Sequence, residues 1–194
     1  MSEPISHTTH GDAPLSAARN PDPTALRGEG VEGHKGDELV GRTVSINRPR
    51  QELYAFWRDF GNLPRFMENV ASVAVLDDRR SHWTVLAPAG RSVEGDAVVT
   101  EDEPGLLIAW ASAEGASVRH SGRIDFRDST NGRGTVVTAT IVYDPPAGSV
   151  GKAIAKLFAR EPNIQARRDL RRFKQLMETG EVSTIEPQAA ARRA

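Results

Sequence analysis

Residues 46–70 read INRPRQELYAFWRDFGNLPRFMENV, and this stretch decides the fold. Pro49 suits the first turn of a helix, where its missing N–H is not needed. The apolar residues that follow recur every three or four positions and predict one apolar helix face, formed by Leu53, Phe56, Trp57 and Phe60. Gly61 and Asn62 tolerate the positive φ that ends a helix, and a second short apolar turn precedes Val70. The stretch therefore predicts two short helices between two strands.

Short runs rich in Val, Ile, Thr and Trp follow this stretch, as expected for antiparallel strands. Turn residues such as Glu103-Pro104-Gly105 and Asn131-Gly132 separate the runs. We predict seven strands connected in sequence as a meander, at residues 39–47, 70–77, 81–88, 92–102, 105–113, 116–128 and 133–144.

The C-terminal region contains two apolar stripes that are out of phase with each other. The first stripe lies within residues 150–158, and the second consists of Ala166, Leu170, Phe173 and Met177. The change of phase falls at Pro162, and a proline inside a helix costs roughly 3 kcal/mol. We therefore predict a kink or a new helix start at Pro162, and a helix end near Gly180, where glycine suits a C-terminal cap.

With these elements, the chain resembles a bacterial member of the START-like (SRPBCC) superfamily, which includes the polyketide cyclase/dehydrase group and a coenzyme Q-binding branch. The resemblance covers roughly residues 39–181 and also rests on VEGDAVVTEDEPGLLIAW (93–110), SGRIDFRD (121–128) and DLRRFKQLMETGE (169–181). It implies an α+β helix-grip (Bet v 1-like) fold. In that fold a curved seven-stranded antiparallel sheet wraps around the C-terminal helix, leaves a cavity beside it, and has two short helices after the first strand.

Composition limits the domain organisation and the partners. The chain has 194 residues, no cysteine and a formal net charge of −1. Without cysteine it forms no disulfide or Cys-based zinc site, which favours a reducing compartment, so we predict a cytoplasmic protein. The small net charge gives no global reason to bind nucleic acid, and no apolar run approaches the ~20 residues that span a bilayer. We predict no cofactor and no metal site.

The two ends of the chain differ in composition from its centre. Residues 1–37 and 182–194 are poor in large apolar side chains, so we predict a disordered arm, a helix-grip domain at 38–181 and a disordered tail.

Strand alternation predicts which side chains face the cavity. Val93 and Gly95 point inward from one strand, and His120 and Phe126 share the inner face of another. The resemblance places the 60–67 segment at the cavity mouth. The predicted ligand-binding residues are Phe60, Phe66, Met67, Trp83, Val93, Gly95, Trp110, His120, Phe126 and Phe173.

Each of these positions also has a purely structural interpretation. His120 is the candidate acid or base, because an imidazole exchanges protons near neutral pH, and a core histidine bonded to a backbone carbonyl is the structural alternative. For Gly95 the structural alternative is a bend in the curved sheet, and for each aromatic residue it is packing in the core. No other catalytic residue is predicted, because the carboxylates that we can place mostly face outward.

The leading functional prediction is binding or transport of a small hydrophobic or aromatic ligand, such as a lipid, a quinone or a polyketide-like molecule. A polyketide aromatase/cyclase or dehydratase is the alternative, and a non-catalytic interaction or stress-related protein is the third. On the last helix, Arg167, Arg168, Arg171 and Arg172 form either a solvated face or a contact for phosphate or acidic lipid. The sequence predicts no particular oligomeric state.

Overall fold

The computed structural model describes residues 38–87, 90–116, 119–130, 132–144 and 162–182. Its strands are β1 (Glu38–Ile46), β2 (Val70–Val75), β3 (Arg80–Ala87), β4 (Arg91–Glu103), β5 (Leu107–Ser112), β6 (Arg119–Asp128) and β7 (Thr135–Asp144). Its helices are α1 (Arg50–Arg58), a 3-10 helix (Phe60–Arg65) and α2 (Pro162–Thr179). The predicted apolar stripe at 150–158, the predicted arm 1–37 and residues 183–194 of the predicted tail lie outside the described residues.

All seven strands form one antiparallel sheet in the order β1-β7-β6-β5-β4-β3-β2. Strands β2 to β7 form a meander, as predicted. The prediction is wrong for β1, which pairs with β7 at the far edge and not with β2. α1 and the 3-10 helix therefore carry the chain from one edge of the sheet to the other. This arrangement confirms the predicted seven-stranded sheet and the predicted order of helices and strands.

The strand boundaries differ from the prediction mainly at turns. β5 begins at Leu107 rather than at residue 105, because residues 103–106 form a turn. In that turn the Leu106 N–H donates to the Glu103 carbonyl at 2.9 Å, and Gly105 has a φ of 75°. A positive φ is a conformation that glycine adopts at little cost.

α1 lies across the sheet and is fixed there by Asp102 at the end of β4. The Tyr54 hydroxyl donates to Asp102 Oδ1 at 2.5 Å, and Arg58 Nε donates to Asp102 Oδ2 at 2.7 Å. Burial and the hydrogen bond to Asp102 raise the pKa of Tyr54 to about 12. Asp102 therefore anchors α1 to the end of β4. The anchored helix buries Leu53 and Trp57 against the core.

α2 is the helix that the sheet grips, and it packs mainly against β1. It begins at Pro162, as predicted, and after its end the Gly180 N–H donates to the Leu176 carbonyl at 2.8 Å. Arg48 Nε caps the Met177 carbonyl at 2.8 Å, which ties the end of α2 to the segment after β1. Val182, just beyond α2, packs partly against the core. No described helix is long and apolar enough to cross a membrane.

Candidate functional site on the concave face

Aromatic rings fill one half of the concave face of the sheet. The rings of Trp57, Phe66 and Phe173 contact one another, with centroid distances of 5.1 Å (Trp57–Phe66), 5.0 Å (Trp57–Phe173) and 4.9 Å (Phe66–Phe173). Phe126 is also fully buried, and its ring meets the Tyr54 ring edge-on at 6.1 Å. The structure thus places three of the predicted ligand-binding residues, Phe66, Phe126 and Phe173, in the packed core.

The other half of the concave face is open around Gly95. Gly95 pairs in register with Trp83, so both residues lie on the same face of the sheet. Among the described residues, a Cβ atom built on Gly95 would meet no atom within 4 Å. Val93, two residues away on β4, is half-buried and pairs with Val85. This patch combines aromatic surface, small side chains and free space, which are the features of an apolar ligand site.

Two tryptophans border the open half. The rings of Trp83 and Trp110 are 6.5 Å apart between centroids and inclined by only 14°. Trp83 Nε1 donates to Ser81 Oγ at 2.9 Å, which fixes the orientation of the first ring. Trp110 lies flat over Gly122, where an added Cβ would approach Trp110 Cζ2 to 2.2 Å. Gly122 therefore leaves the space that the second ring occupies.

Phe60 and Met67 lie on the chain segment that leads to the sheet edge. The Phe60 ring lies 6.0 Å from the Trp83 ring and is almost fully buried. Met67 is half-buried and packs against the core. The structure therefore brings Phe60 to the Trp83 patch, as a supporting ring beneath Trp83.

His120 lies on the same face but away from the patch. It is half-buried, and its backbone N–H donates to Ser112 Oγ at 3.2 Å. Ser112 pairs with Ala97, two residues from Gly95 on β4. Standard strand spacing and rise then place His120 about 12 Å from Gly95. A small ligand at Gly95 would not contact His120, whereas a longer one would.

The structure also reveals a candidate that sequence reasoning missed, the Asp169 carboxyl on α2. Asp169 Oδ1 accepts hydrogen bonds from Gln165 Nε2 at 2.9 Å and from the Glu68 backbone N–H at 3.3 Å. Burial raises the pKa of Asp169 to about 7, although both hydrogen bonds and the Arg172 charge act in the opposite direction. A carboxyl with this pKa can give or take a proton at neutral pH.

Asp169 was not among the carboxylates that the sequence analysis could place. Asp169 lies one helical turn from the buried residues Ala166 and Phe173, so it sits at the rim of the helix face that packs on the core. The spacing of one helical turn from Ala166 and from Phe173 was the one signal in the sequence that could have identified Asp169.

α1 and the end of α2 also border an open groove with a volume of about 390 Å³. Charged side chains, among them Arg48, Glu52 and Arg65, form much of its lining. None of the predicted ligand-binding residues lines it. The groove is therefore distinct from the Trp83–Gly95 patch.

Comparison with known proteins identifies relatives of this fold. A family model described as polyketide cyclase / dehydrase and lipid transport matches residues 46–171. DR_A0006 from Deinococcus radiodurans is 43% identical, with 74% of this chain and 99% of that chain covered and a TM-score of 0.61. A comparison with curated proteins finds no match.

Two more distant structures share the fold alone. TTHA0849 from Thermus thermophilus is 22% identical, with 71% of this chain and 95% of that chain covered and a TM-score of 0.59. The Zhui aromatase/cyclase from Streptomyces sp. R1128 is 14% identical, with 76% of this chain and 99% of that chain covered and a TM-score of 0.59. These likenesses confirm the helix-grip fold. Because the family model spans more than half of the sequence, the chain belongs to the polyketide cyclase / dehydrase and lipid transport family.

Proposed function

We propose that the protein binds and carries a small apolar or aromatic molecule on the open half of its concave face. The observation that supports this best is the free space above Gly95 beside the two nearly parallel rings of Trp83 and Trp110. Flat indole surfaces favour a planar group such as a quinone ring or a polyketide-like ring, and each Å² of apolar surface buried contributes about 25 cal/mol. The family description, which includes lipid transport, is consistent with a carrier.

Substitution of Gly95 tests this proposal. Gly95→Trp would fill the free space, so we expect a short-chain benzoquinone to bind at least about tenfold more weakly, a loss of about 1.4 kcal/mol. Isothermal titration calorimetry gives the affinity. Gly95→Ala is the matched control, because one methyl group meets no atom of the described part of the chain within 4 Å and leaves most of the space free. Equal affinities of wild type and Gly95→Trp would place the ligand elsewhere.

A second candidate function, a cyclase or dehydratase, is favoured by one observation. The Asp169 carboxyl is held in a partly buried position and has a pKa of about 7, so it would give or take a proton in the conversion of a reactive polyketone. The Zhui relative is described as an aromatase/cyclase, although it shares only the fold. Time-dependent conversion of an added polyketone, followed by mass spectrometry and lost in Asp169→Asn or His120→Ala, would support the enzyme. An unchanged substrate would support the carrier.

We further propose that exposed arginines on α2 contact acidic lipid headgroups. Arg167, Arg168 and Arg171 are exposed and form no ion pair with any described residue. Arg172 differs from these three arginines, because it is partly buried and its Nη1 lies 3.5 Å from Glu68 Oε1. The proposed contact therefore involves three arginines, and since the cytoplasm is the proposed location, the inner surface of the cell membrane is the expected partner.

Replacing these three arginines with glutamine is expected to weaken binding to phosphatidylserine vesicles at least about tenfold at low salt. Co-sedimentation measures the bound fraction, and vesicles of neutral phosphatidylcholine serve as the control. Equal sedimentation of the variant and the wild type would show that the arginines are merely a solvated helix face.

A further inference from the structure

The free edge of β1 faces α2. β1 pairs with β7 on one side only, and α2 packs along it. Lys174 Nζ donates to the Ser45 carbonyl at 2.7 Å, and the Asn47 N–H donates to Glu178 Oε1 at 2.7 Å. Because alternate residues of a strand direct their backbone groups to the same side, the Thr43 N–H also points off the sheet. Thr43 is exposed, and its N–H has no hydrogen-bond acceptor among the described residues.

Arg42 places a guanidinium group at the same edge. It is half-buried, and its Nη1 donates to the Gly41 carbonyl at 2.6 Å. Gly41 is four residues before Ser45, so its carbonyl points off the same edge, about 13 Å from the Ser45 carbonyl. Arg42 forms no ion pair with any described residue. The remaining donors of its guanidinium therefore have no carboxylate to bind within the described part of the chain.

α2 brings further positive charges to this edge. The contacts of Lys174 and Glu178 follow one another in the same order along both elements, so β1 and α2 run in the same direction here. Arg171 lies three residues before Lys174, and Arg167 lies seven residues before it. At 3.6 residues per turn, both arginines lie on the flank of α2 that carries Lys174.

The groups on the two elements lie at matching levels. Measured back from the contact between Lys174 and β1, Thr43 and Arg42 lie about 7 and 10 Å away along the strand. Arg171 and Arg167 lie about 5 and 10 Å away along the helix. Arg171 is therefore level with Thr43, and Arg167 is level with Arg42. The space between the edge and the helix, bordered by these five residues, is the β1 crevice.

Positive charges gather in the β1 crevice without a matching number of carboxylates. Arg167 and Arg171 are exposed and four residues apart, a helical spacing at which like charges repel. The Glu178 carboxylate lies on the same flank of α2, but it is already engaged by Lys174 Nζ at 2.7 Å and by the Asn47 N–H. An anion held between the arginines would relieve the repulsion.

We propose that the β1 crevice binds a phosphate group, with Arg42 and Arg171 donating from two sides and the Thr43 N–H donating from the strand edge. Two guanidinium groups and one N–H match the three acceptor oxygens of a phosphate monoester. Arg167 adds positive charge beside Arg42. This inference rests on the proposed lipid contact of α2 and deepens it, since it names the group that the arginines receive. It does not depend on the patch around Gly95.

Two soluble probes, dioctanoyl phosphatidic acid and inorganic phosphate, test the site at low salt. We expect phosphatidic acid to bind wild type, and we expect Arg42→Gln and Arg171→Gln each to weaken this binding at least about tenfold by isothermal titration calorimetry. Arg65→Gln is the charge-matched control and should bind like wild type. Arg65 is an exposed arginine beside α1, and its guanidinium lies over the Phe56 ring.

The Thr43 amide gives a second readout. A phosphate that accepts the Thr43 N–H should move its proton resonance downfield, and this shift should be lost in Arg42→Gln. Equal affinity for the two probes would support the site and identify a water-soluble phosphate compound as its ligand, whereas at least about tenfold tighter binding of phosphatidic acid would support it and identify a lipid headgroup. Absence of binding by both probes, or equal binding by wild type and both crevice variants, would overturn the site.

Phosphatidylserine vesicles separate this site from the proposed lipid contact. If the soluble probes bind through Arg42 and the vesicles do not bind, the lipid contact fails while the phosphate site stands. If the vesicles bind but neither probe depends on Arg42, the phosphate site fails while the lipid contact stands.

Discussion

Asp169→Asn is expected to stabilise the folded protein above pH 7 by an amount on the order of 2–4 kcal/mol. The pKa of Asp169 is about 7 in the folded protein and 3.8 when solvated. Below about pH 4 the carboxyl is protonated in both states, so asparagine changes little. Between about pH 4 and 7 the folded state binds a proton that the unfolded state has lost, and the stability of wild type therefore falls as the pH rises. Above pH 7 the stability of wild type has fallen by the full amount, whereas the asparagine variant does not undergo this decrease.

Urea unfolding at several values between pH 4 and pH 8 measures this effect. The difference in unfolding free energy between the variant and wild type should be near zero at pH 4 and should reach its full size by pH 8. Glu178→Gln serves as the control. Although partial burial opposes ionisation of Glu178, hydrogen bonds from the Asn47 N–H and Lys174 keep its pKa below the usual range, so the difference from wild type should not grow over the upper part of the pH range. Parallel stability curves for wild type and Asp169→Asn would show that Asp169 titrates like a solvated carboxyl.

Gly122→Ala is expected to destabilise the domain by about 1–3 kcal/mol, whereas Gly95→Ala should change stability by less than about 0.5 kcal/mol. The added methyl group at Gly122 would lie 2.2 Å from Trp110 Cζ2, so the buried indole must move into the open half of the concave face. At Gly95 the same methyl group meets no atom within 4 Å in the part of the chain that the structure describes. The two glycines thus form a matched pair on one face of one sheet.

Chemical denaturation of both variants measures the two changes in free energy. Displacement of Trp110 by Gly122→Ala should also weaken binding of a planar ligand, since the near-parallel arrangement of Trp83 and Trp110 is lost. Equal stability of the two alanine variants would mean that Trp110 does not lie on Gly122.

The fold could be predicted because its signals are local. The apolar spacing in residues 46–70 predicted two short helices, and Pro162 and Gly180 marked the ends of α2. The predicted break at Gly61 was wrong, because α1 ends at Arg58 and the 3-10 helix begins at Phe60. Alternation along β4 placed Gly95 and Val93 on the inner face, in agreement with their pairing to Trp83 and Val85. Each of these features depends on residues close together in the chain.

The site could be predicted only in part, because its shape depends on contacts between distant residues. Gly95 and Gly122 look alike in sequence, and only the register that sets Trp110 opposite Gly122 makes one position filled and the other open. Asp169 was missed because its burial and its hydrogen bond depend on Glu68, about a hundred residues away. His120 was assigned to the correct face, but no sequence pattern gave its separation from Gly95.

Native mass spectrometry of the protein purified from its own host tests the central claim most directly. We expect wild type to carry one small apolar molecule per chain, released on collisional activation, and we expect Gly95→Trp from the same host to be folded but largely empty. An identical bound mass on both proteins, or a folded wild type that never carries such a molecule, would contradict a ligand site above Gly95.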